Sequence, residues 1–366
     1  MTNDKRKAIG VKIRVPTPFD QLTLQHGPAW KNRFTLAPMT NHQSNPDGTI
    51  TQDEHHWLTM RAKGGFALTM TCASHVQPQG QGFPGQLGCW SDDHIEGLTK
   101  LAAEIKAQGS VSSIQLHHAG FRSPKDLIKT QPVGPSDDEG TESRALSTEE
   151  VHQLRDDFIK AAQRAEKAGF DGVEIHGAHS YIICSFLSAG ENKREDAYGG
   201  NPENRARLLM EILEGIRGAC RPDFQVGIRL SPDRFGIDPQ DILDLSAKLL
   251  QDERLDYLDI SMWDYNREHE GKNFFQLFAD LPRKGVLLGV AGKLYSGKDV
   301  QNALDLGADF VAIGKAGILH HDFPLRIQSN PNFEMTTPPV TADYLRSEGL
   351  GEAFIQYMKR WEGFVK

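Results

Sequence analysis

The sequence holds no run approaching the ~20 consecutive apolar residues that cross a bilayer, so a membrane-spanning protein is not expected. Cysteine is scarce. Cys72, Cys89, Cys184 and Cys220 are the only four, and no two form a Cys-x-x-Cys pair. That spacing offers neither a disulfide framework nor a zinc or iron–sulfur ligand set. Runs of Lys or Arg are missing as well, and the formal net charge is −8, so the electrostatic footprint of a nucleic-acid surface is lacking. Small molecules are the expected partners, and a homo-oligomer stays compatible with the sequence. Met1 to Arg14 is too charged for the core of a signal peptide, which makes a cytoplasmic location the expectation. No internal repeat at solenoid periods and no low-complexity linker divides the chain.

What is present is an ordinary globular composition, 38% hydrophobic and 25% charged over 366 residues. Short apolar runs alternate with longer segments of helical period, the rhythm of a parallel sheet. Strands are expected near Phe34–Ala37, Phe66–Thr71, Val111–Leu116, Gly172–His176, Gln225–Leu230, Tyr257–Ser261, Val286–Val290 and Phe310–Ile313. Between them Ile95, Leu98, Ala102 and Ile105 share a helical face, as do Leu154, Phe158, Ala161 and Ala165, and Leu208, Ile212 and Ile216. Ser147 to Glu150 reads as a capping box, with Gly169 as the stop of the same helix. Eight strands with crossover helices most simply close into a (β/α)8 TIM barrel, because open doubly wound sheets usually have five or six. The expected organisation is a single barrel domain over residues 1–366, with the barrel at about 34–325 and a helical tail at 326–366 after the break at Thr336–Pro339. Phe19–Leu24 and Trp30–Arg33 flank a Gly-Pro turn, which suggests a β-hairpin cap under the barrel, a loose arm being the alternative.

Barrel active sites lie at the C-terminal ends of the strands. Strand four ends in His176-Gly177-Ala178-His179-Ser180-Tyr181, two imidazoles and a phenol within six residues. Neutral imidazoles each donate one hydrogen bond, so His176 and His179 suit the oxygen of a carbonyl, nitro or phenolate group, and Tyr181 suits proton donation. Packing histidines and a two-histidine metal site are the alternatives. The latter lacks a third ligand, and no metal is expected. Gln115 at the end of strand three could use its amide both ways against a flavin pyrimidine edge. Arg229, ending strand five, suits the charge that gathers near N1 of a reduced flavin, with an interior salt bridge as the alternative. After strands seven and eight come Gly292 and the run Gly314-Lys315, where barrels place phosphates. No Gly-x-Gly-x-x-Gly follows a strand, so a mononucleotide is preferred to a Rossmann dinucleotide.

These residues resemble the old yellow enzyme family of FMN-dependent NAD(P)H oxidoreductases, from Phe19 to about Phe323. Ala37-Pro38-Met39-Thr40 is similar to its first-strand signature, His176 to Tyr181 to its substrate motif, and Asn192 to Arg207 to the segment that follows. The resemblance implies that Ala37, Pro38, Met39, Thr40, Ala73, Gln115 and Arg229 contact the isoalloxazine and ribityl parts of FMN, and that Gly292, Gly314 and Lys315 hold its phosphate. It also implies that NADH or NADPH reduces FMN and departs, after which an activated alkene takes hydride from flavin N5 and a proton from Tyr181. Nitro compounds and quinones are further acceptors of that kind. Three departures stand out: Lys315 replaces a usual arginine, Thr40 supplies a hydroxyl where a thiol also occurs, and His42 stands where one subclass has a tyrosine. Trp263 and Tyr265 after strand six could line the pocket or pack within their loop, and Arg360 could reach a neighbouring subunit or stay solvated. The branch with an added iron–sulfur domain is not expected in a chain that stops at Lys366 without the cysteines for it. Two other readings stay open at this point: a flavin-binding carrier or sensor without turnover, and another FMN-barrel oxidase.

Overall fold

The computed structural model describes residues 16–366; the charged segment Met1 to Arg14 lies outside the described residues. Eight strands, β1 (Phe34–Leu36), β2 (Leu68–His75), β3 (Val111–His117), β4 (Gly172–Gly177), β5 (Gln225–Leu230), β6 (Tyr257–Ser261), β7 (Leu287–Ala291) and β8 (Phe310–Ile313), pair in sequence order. All the pairings are parallel, and β8 returns to β1, which closes the expected (β/α)8 barrel. The strands are almost entirely buried on both faces, which is why they read as continuous apolar runs.

The crossover helices are α1 (Gln52–Lys63), α2 (Ile95–Ala107), α3 (Thr148–Lys167), α4 (Pro202–Ala219), α5 (Pro239–Leu249), α6 (Phe274–Ala279) and α7 (Gly297–Asp305), and α8 (Phe323–Ser329) follows β8. α3 shows the local logic. The Ser147 side chain accepts from the Glu150 amide while Glu150 accepts from the Ser147 amide, which satisfies two donors that the first turn leaves free. Val151, Leu154, Phe158, Ala161 and Ala165 are buried on one face, and Gly169 at φ +86° turns the chain out of the helix.

Two segments differ from expectation. β2 starts later and runs to His75 rather than ending at Thr71, because a register shift between Met70 and Ala73 carries it onward and sets Ala73 beside Gln115. The N-terminal hairpin is reduced to one antiparallel pair, Leu22 with Trp30. Its other polar groups bond to the barrel rim instead: the His26 amide to Asp256 Oδ1 at 2.9 Å, and the Pro28 carbonyl to Gln225 Nε2 at 2.7 Å. Trp30 is fully buried and meets Tyr257 and Phe310 edge-on at 5.3 and 5.0 Å, plugging the bottom of the barrel. Gly227 and Gly289 make room for this plug, since a Cβ on either would lie 2.0 to 2.1 Å from the Tyr257 or Phe310 ring.

Beyond residues 336–339, two helices, Ala342–Ser347 and Glu352–Met358, pack on α1, with Phe354 edge-on to Trp57 at 4.9 Å. Among the described residues, no helix is long and apolar enough to cross a membrane.

Candidate active site

A cavity of about 690 Å³ opens at the C-terminal ends of the barrel strands. Ala37, Pro38, Met39, Thr40, Ala73, Gln115, His176, His179, Tyr181, Arg229, Gly292, Gly314 and Lys315 all line it. A larger groove of about 870 Å³ lies between α4 and α5, but it touches no strand end and no cluster of reactive groups. The strand-end cavity is therefore the candidate site.

β4 delivers the first side chains. Alternation along the strand turns Glu174 and His176 to the same face. The chain then turns sharply, with His179 at φ +63° and Ser180 at φ +61°, a left-handed conformation that costs side-chain-bearing residues ~1 kcal/mol or more. Two contacts hold it: the His179 amide donates to Ser231 Oγ at 3.0 Å, and Ser180 Oγ donates to Glu191 Oε1 at 2.9 Å. The outcome is a compact group, with the His176 and His179 rings 5.1 Å apart and Tyr181 5.1 Å from His176.

Hydrogen bonding assigns the imidazole protons. The Ala178 amide donates to His176 Nδ1 at 3.3 Å, so the neutral ring carries its proton on Nε2. Arg229 Nη2 donates to Ser261 Oγ at 3.0 Å, and that Oγ lies 2.8 Å from His179 Nε2, a contact in which either atom can be the donor. His179 Nδ1 faces His176 Nε2 across 3.4 Å, so the two ring nitrogens converge on one point. In the tautomer where Ser261 donates to His179 Nε2, both present N–H groups to an acceptor placed between them. Burial pushes His179 down to about 3, and burial with neighbouring positive charge holds His176 well below its ordinary value, so both stay neutral at physiological pH. Burial raises the Tyr181 phenol above its usual value, and Arg122 opposes that shift.

Below lies a buried polar layer that strand register assembles. Gln115 stands opposite Glu174, and Arg229 opposite Asp259. Gln115 Nε2 donates to Glu174 Oε1 at 2.7 Å, so one of its two amide N–H groups is committed inward. Arg229 Nε is 3.5 Å from Asp259 Oδ2. Burial pushes Glu174 up to about 8, Asp259 adds to this, and Arg229 opposes it. A folded-state value above the ordinary carboxylate range means that the native state keeps a proton the unfolded chain releases, so stability falls as pH rises towards 8. Glu174→Gln is expected to raise the urea midpoint at about pH 9 and to leave it unchanged at about pH 4, the difference closing in between. A midpoint difference that does not change with pH would contradict the buried protonated carboxyl.

The residues fit FMN. Arg229 Nη1 is a buried donor with no hydrogen-bond partner, and Nε has only the 3.5 Å ion pair with Asp259, so the guanidinium keeps a donor for the pyrimidine edge of a flavin. A Cβ built on Gly314 would meet only Met39 Sδ at 3.9 Å, so the space in front of that backbone is open. Lys315 opens a five-residue helix whose first amides have no acceptor within the helix, and its Nζ lies over the rings of Tyr295 and Phe364 rather than against a carboxylate. Gly292, at φ +141°, lies so close to the loop after β6 that a Cβ would be 2.8 Å from the Met262 carbonyl.

Residues 19–334 match the NADH:flavin oxidoreductase / NADH oxidase family. The chain belongs to that family. It is 36% identical to the probable NADH-dependent flavin oxidoreductase YqiG of Bacillus subtilis over 335 residues, 87% of this chain and 90% of the relative. In structure it is similar to the old yellow enzyme homologue from Zymomonas mobilis, with a TM-score of 0.79 and 28% identity over 90% of this chain and 96% of the other. It is likewise similar to morphinone reductase in complex with tetrahydroNAD, with a TM-score of 0.78 and 28% identity over 96% and 98%. This member of the old yellow enzyme family is thus an NAD(P)H-dependent flavin oxidoreductase, with FMN as cofactor and a nicotinamide as hydride donor.

Several lining residues lie outside the sequence-based set. Ser261 is the last residue of β6, and Tyr357, Met358 and Trp361 come from the C-terminal tail of the same chain. Trp263 lines the cavity and is 69% exposed, whereas Tyr265 is buried and bonds Asp299. His42 stands outside the lining and stacks behind it, between Phe83 and Tyr357 at 5.0 and 4.6 Å. Arg360 is exposed and does not line the cavity.

Proposed function

We propose that this enzyme reduces activated C=C bonds, those of α,β-unsaturated carbonyl compounds first, with nitro compounds and quinones as further acceptors. The observation that carries this reading is the convergence of His176 Nε2 and His179 Nδ1, 3.4 Å apart, beside a protonated phenol. When bound, FMN supplies the hydride, at N5, to the carbon β to the activating group. Ala37 to Thr40, Ala73, Gln115 and Arg229 would hold its ring and ribityl chain, and Gly292, Gly314 and Lys315 its phosphate.

The protein residues do the rest. Two imidazole N–H groups bind the acceptor oxygen and stabilise the negative charge that grows there, in a site already organised for it. Ser261, donating to His179 Nε2 while it accepts from Arg229, would keep His179 in the donating tautomer. Tyr181 Oη delivers the proton to the alkene carbon, because neutral imidazoles held far below their usual pKa are donors and not acids. Met358, Trp361 and Tyr357 cover the site and limit water.

An anaerobic absorbance titration tests the reading. NADH or NADPH is expected to bleach the flavin band of the purified protein, and 2-cyclohexenone to restore it. A band that NAD(P)H bleaches but no enone or nitroalkene restores would refute C=C reduction and leave the flavin oxidoreductase intact.

A further inference from the structure

Among the described residues, the cavity is lined by four cationic side chains, Arg122, Arg229, Lys293 and Lys315, and by no carboxylate, in a chain of net charge −8. Three of the four have a clear counterpart. Arg229 pairs with Asp259, Lys293 Nζ is 3.1 Å from Asp264 Oδ2, and Lys315 stands at the position proposed for the phosphate. Arg122 is different: among the described residues, its hydrogen-bond and ring partners are neutral. Its Nη1 donates to the His179 carbonyl at 2.7 Å, and its guanidinium lies 5.1 Å from the centre of the Tyr181 ring. These two contacts fix an otherwise exposed side chain over the end of the cavity where the acceptor oxygen would bind. Its charge is felt there by His117, His176, His179 and Tyr181. Glu191 senses Arg122 from outside the cavity lining; its Oε1 accepts from Ser180 Oγ, and no ion pair joins it to the guanidinium.

A guanidinium with one N–H committed keeps further donors in the fork that matches a carboxylate, the strongest of the polar pairings available to it. An acid-free, cation-lined mouth also draws anions in and repels none. We propose that Arg122 is a carboxylate subsite, so that the preferred acceptors are activated alkenes that carry a free carboxylate beyond the activating carbonyl. The inference rests on the C=C reductase reading. The carbonyl oxygen then sits between His176 and His179 while the carboxylate sits on Arg122.

A matched pair of acceptors tests it: 4-oxo-5-hexenoate, whose carboxylate lies beyond the ketone and away from the alkene, and its methyl ester, with wild-type enzyme and Arg122→Gln, both loaded with FMN. Loss of a charge-assisted hydrogen bond predicts that KM for the acid rises roughly 10- to 100-fold, at least ~10 times more than for the ester. The wild-type preference for the acid is expected to shrink as salt increases. Calorimetry with 4-oxopentanoate, which cannot be reduced, gives a readout independent of turnover and is expected to show the same loss of affinity. Equal losses for acid and ester would overturn the subsite and make Arg122 a positioning residue for Tyr181. A loss seen only with NADPH as donor would overturn it in favour of the donor's phosphate. Should neither acceptor reoxidise the wild-type enzyme, the C=C reductase reading fails, and the calorimetry alone still decides whether Arg122 binds a carboxylate.

Discussion

Tyr181→Phe is expected to slow alkene reduction by roughly 10²–10⁴-fold while the NAD(P)H half-reaction stays near wild type. The separation follows from which group can release a proton. His176 and His179 are enclosed and neutral, so they stabilise charge without supplying a proton, and Tyr181 is the phenol beside them. Phenylalanine keeps the ring that packs edge-on to His117 at 4.3 Å and under Arg122, so the fold and the cavity shape are preserved. Hydride transfer from NAD(P)H needs no acid at that position. Anaerobic single-turnover kinetics separate the two halves, and equal losses in both would show that Tyr181 shapes the pocket rather than donating. Because burial raises the phenol above its ordinary value, wild-type reoxidation is expected to stay flat through neutral and mildly alkaline pH and to fall only beyond the ordinary phenol range.

The barrel was legible because strands buried on both faces leave unbroken apolar runs, and every barrel strand but β2 lies within about a residue of its expected bounds. The β2 shift was not, since a bulge changes register without changing composition. Residues just after apolar runs could be read as cavity-lining from the strand-end rule alone, and Gly292, Gly314 and Lys315 lie where that rule puts a phosphate. Glu174 and Asp259 carried a signal that went unused: each is a lone carboxylate within an apolar run, two residues before a site residue and so on its face. Ser261 looks unremarkable in sequence. Only the barrel register brings it between Arg229 and His179. Tyr357, Met358 and Trp361 reach the cavity through packing of the tail on α1, a contact across some three hundred residues that no local pattern announces.

Arg229→Met tests the other end of the site. Arg229 is one cation facing two buried carboxyls, Glu174 and Asp259, and its side chain is 6% exposed. Methionine fills much of the volume but leaves Asp259 buried beside Glu174 with no positive partner. Breaking a buried pair from one side typically costs ~3–5 kcal/mol, because the remaining charge has no solvent and no counter-ion. The deficit is expected to depend on pH in one direction. Burial already raises Asp259 and Arg229 opposes the rise, so removing the cation lifts Asp259 further and lets the native state take up a proton. Stability then falls with pH wherever the native state holds more protons than the unfolded chain, so the variant lies furthest below wild type at alkaline pH and recovers towards about pH 5. Urea unfolding at several pH values measures this, and a deficit of equal size throughout would place the cost in lost packing instead. FMN retention is expected to fall in parallel, since the same substitution removes a guanidinium that lines the cavity and whose Nη1 has no hydrogen-bond partner. Arg229→Lys separates the two effects: a point charge restores the pairing with Asp259, and with it most of the stability, but it lacks the planar fork, so FMN binding recovers less.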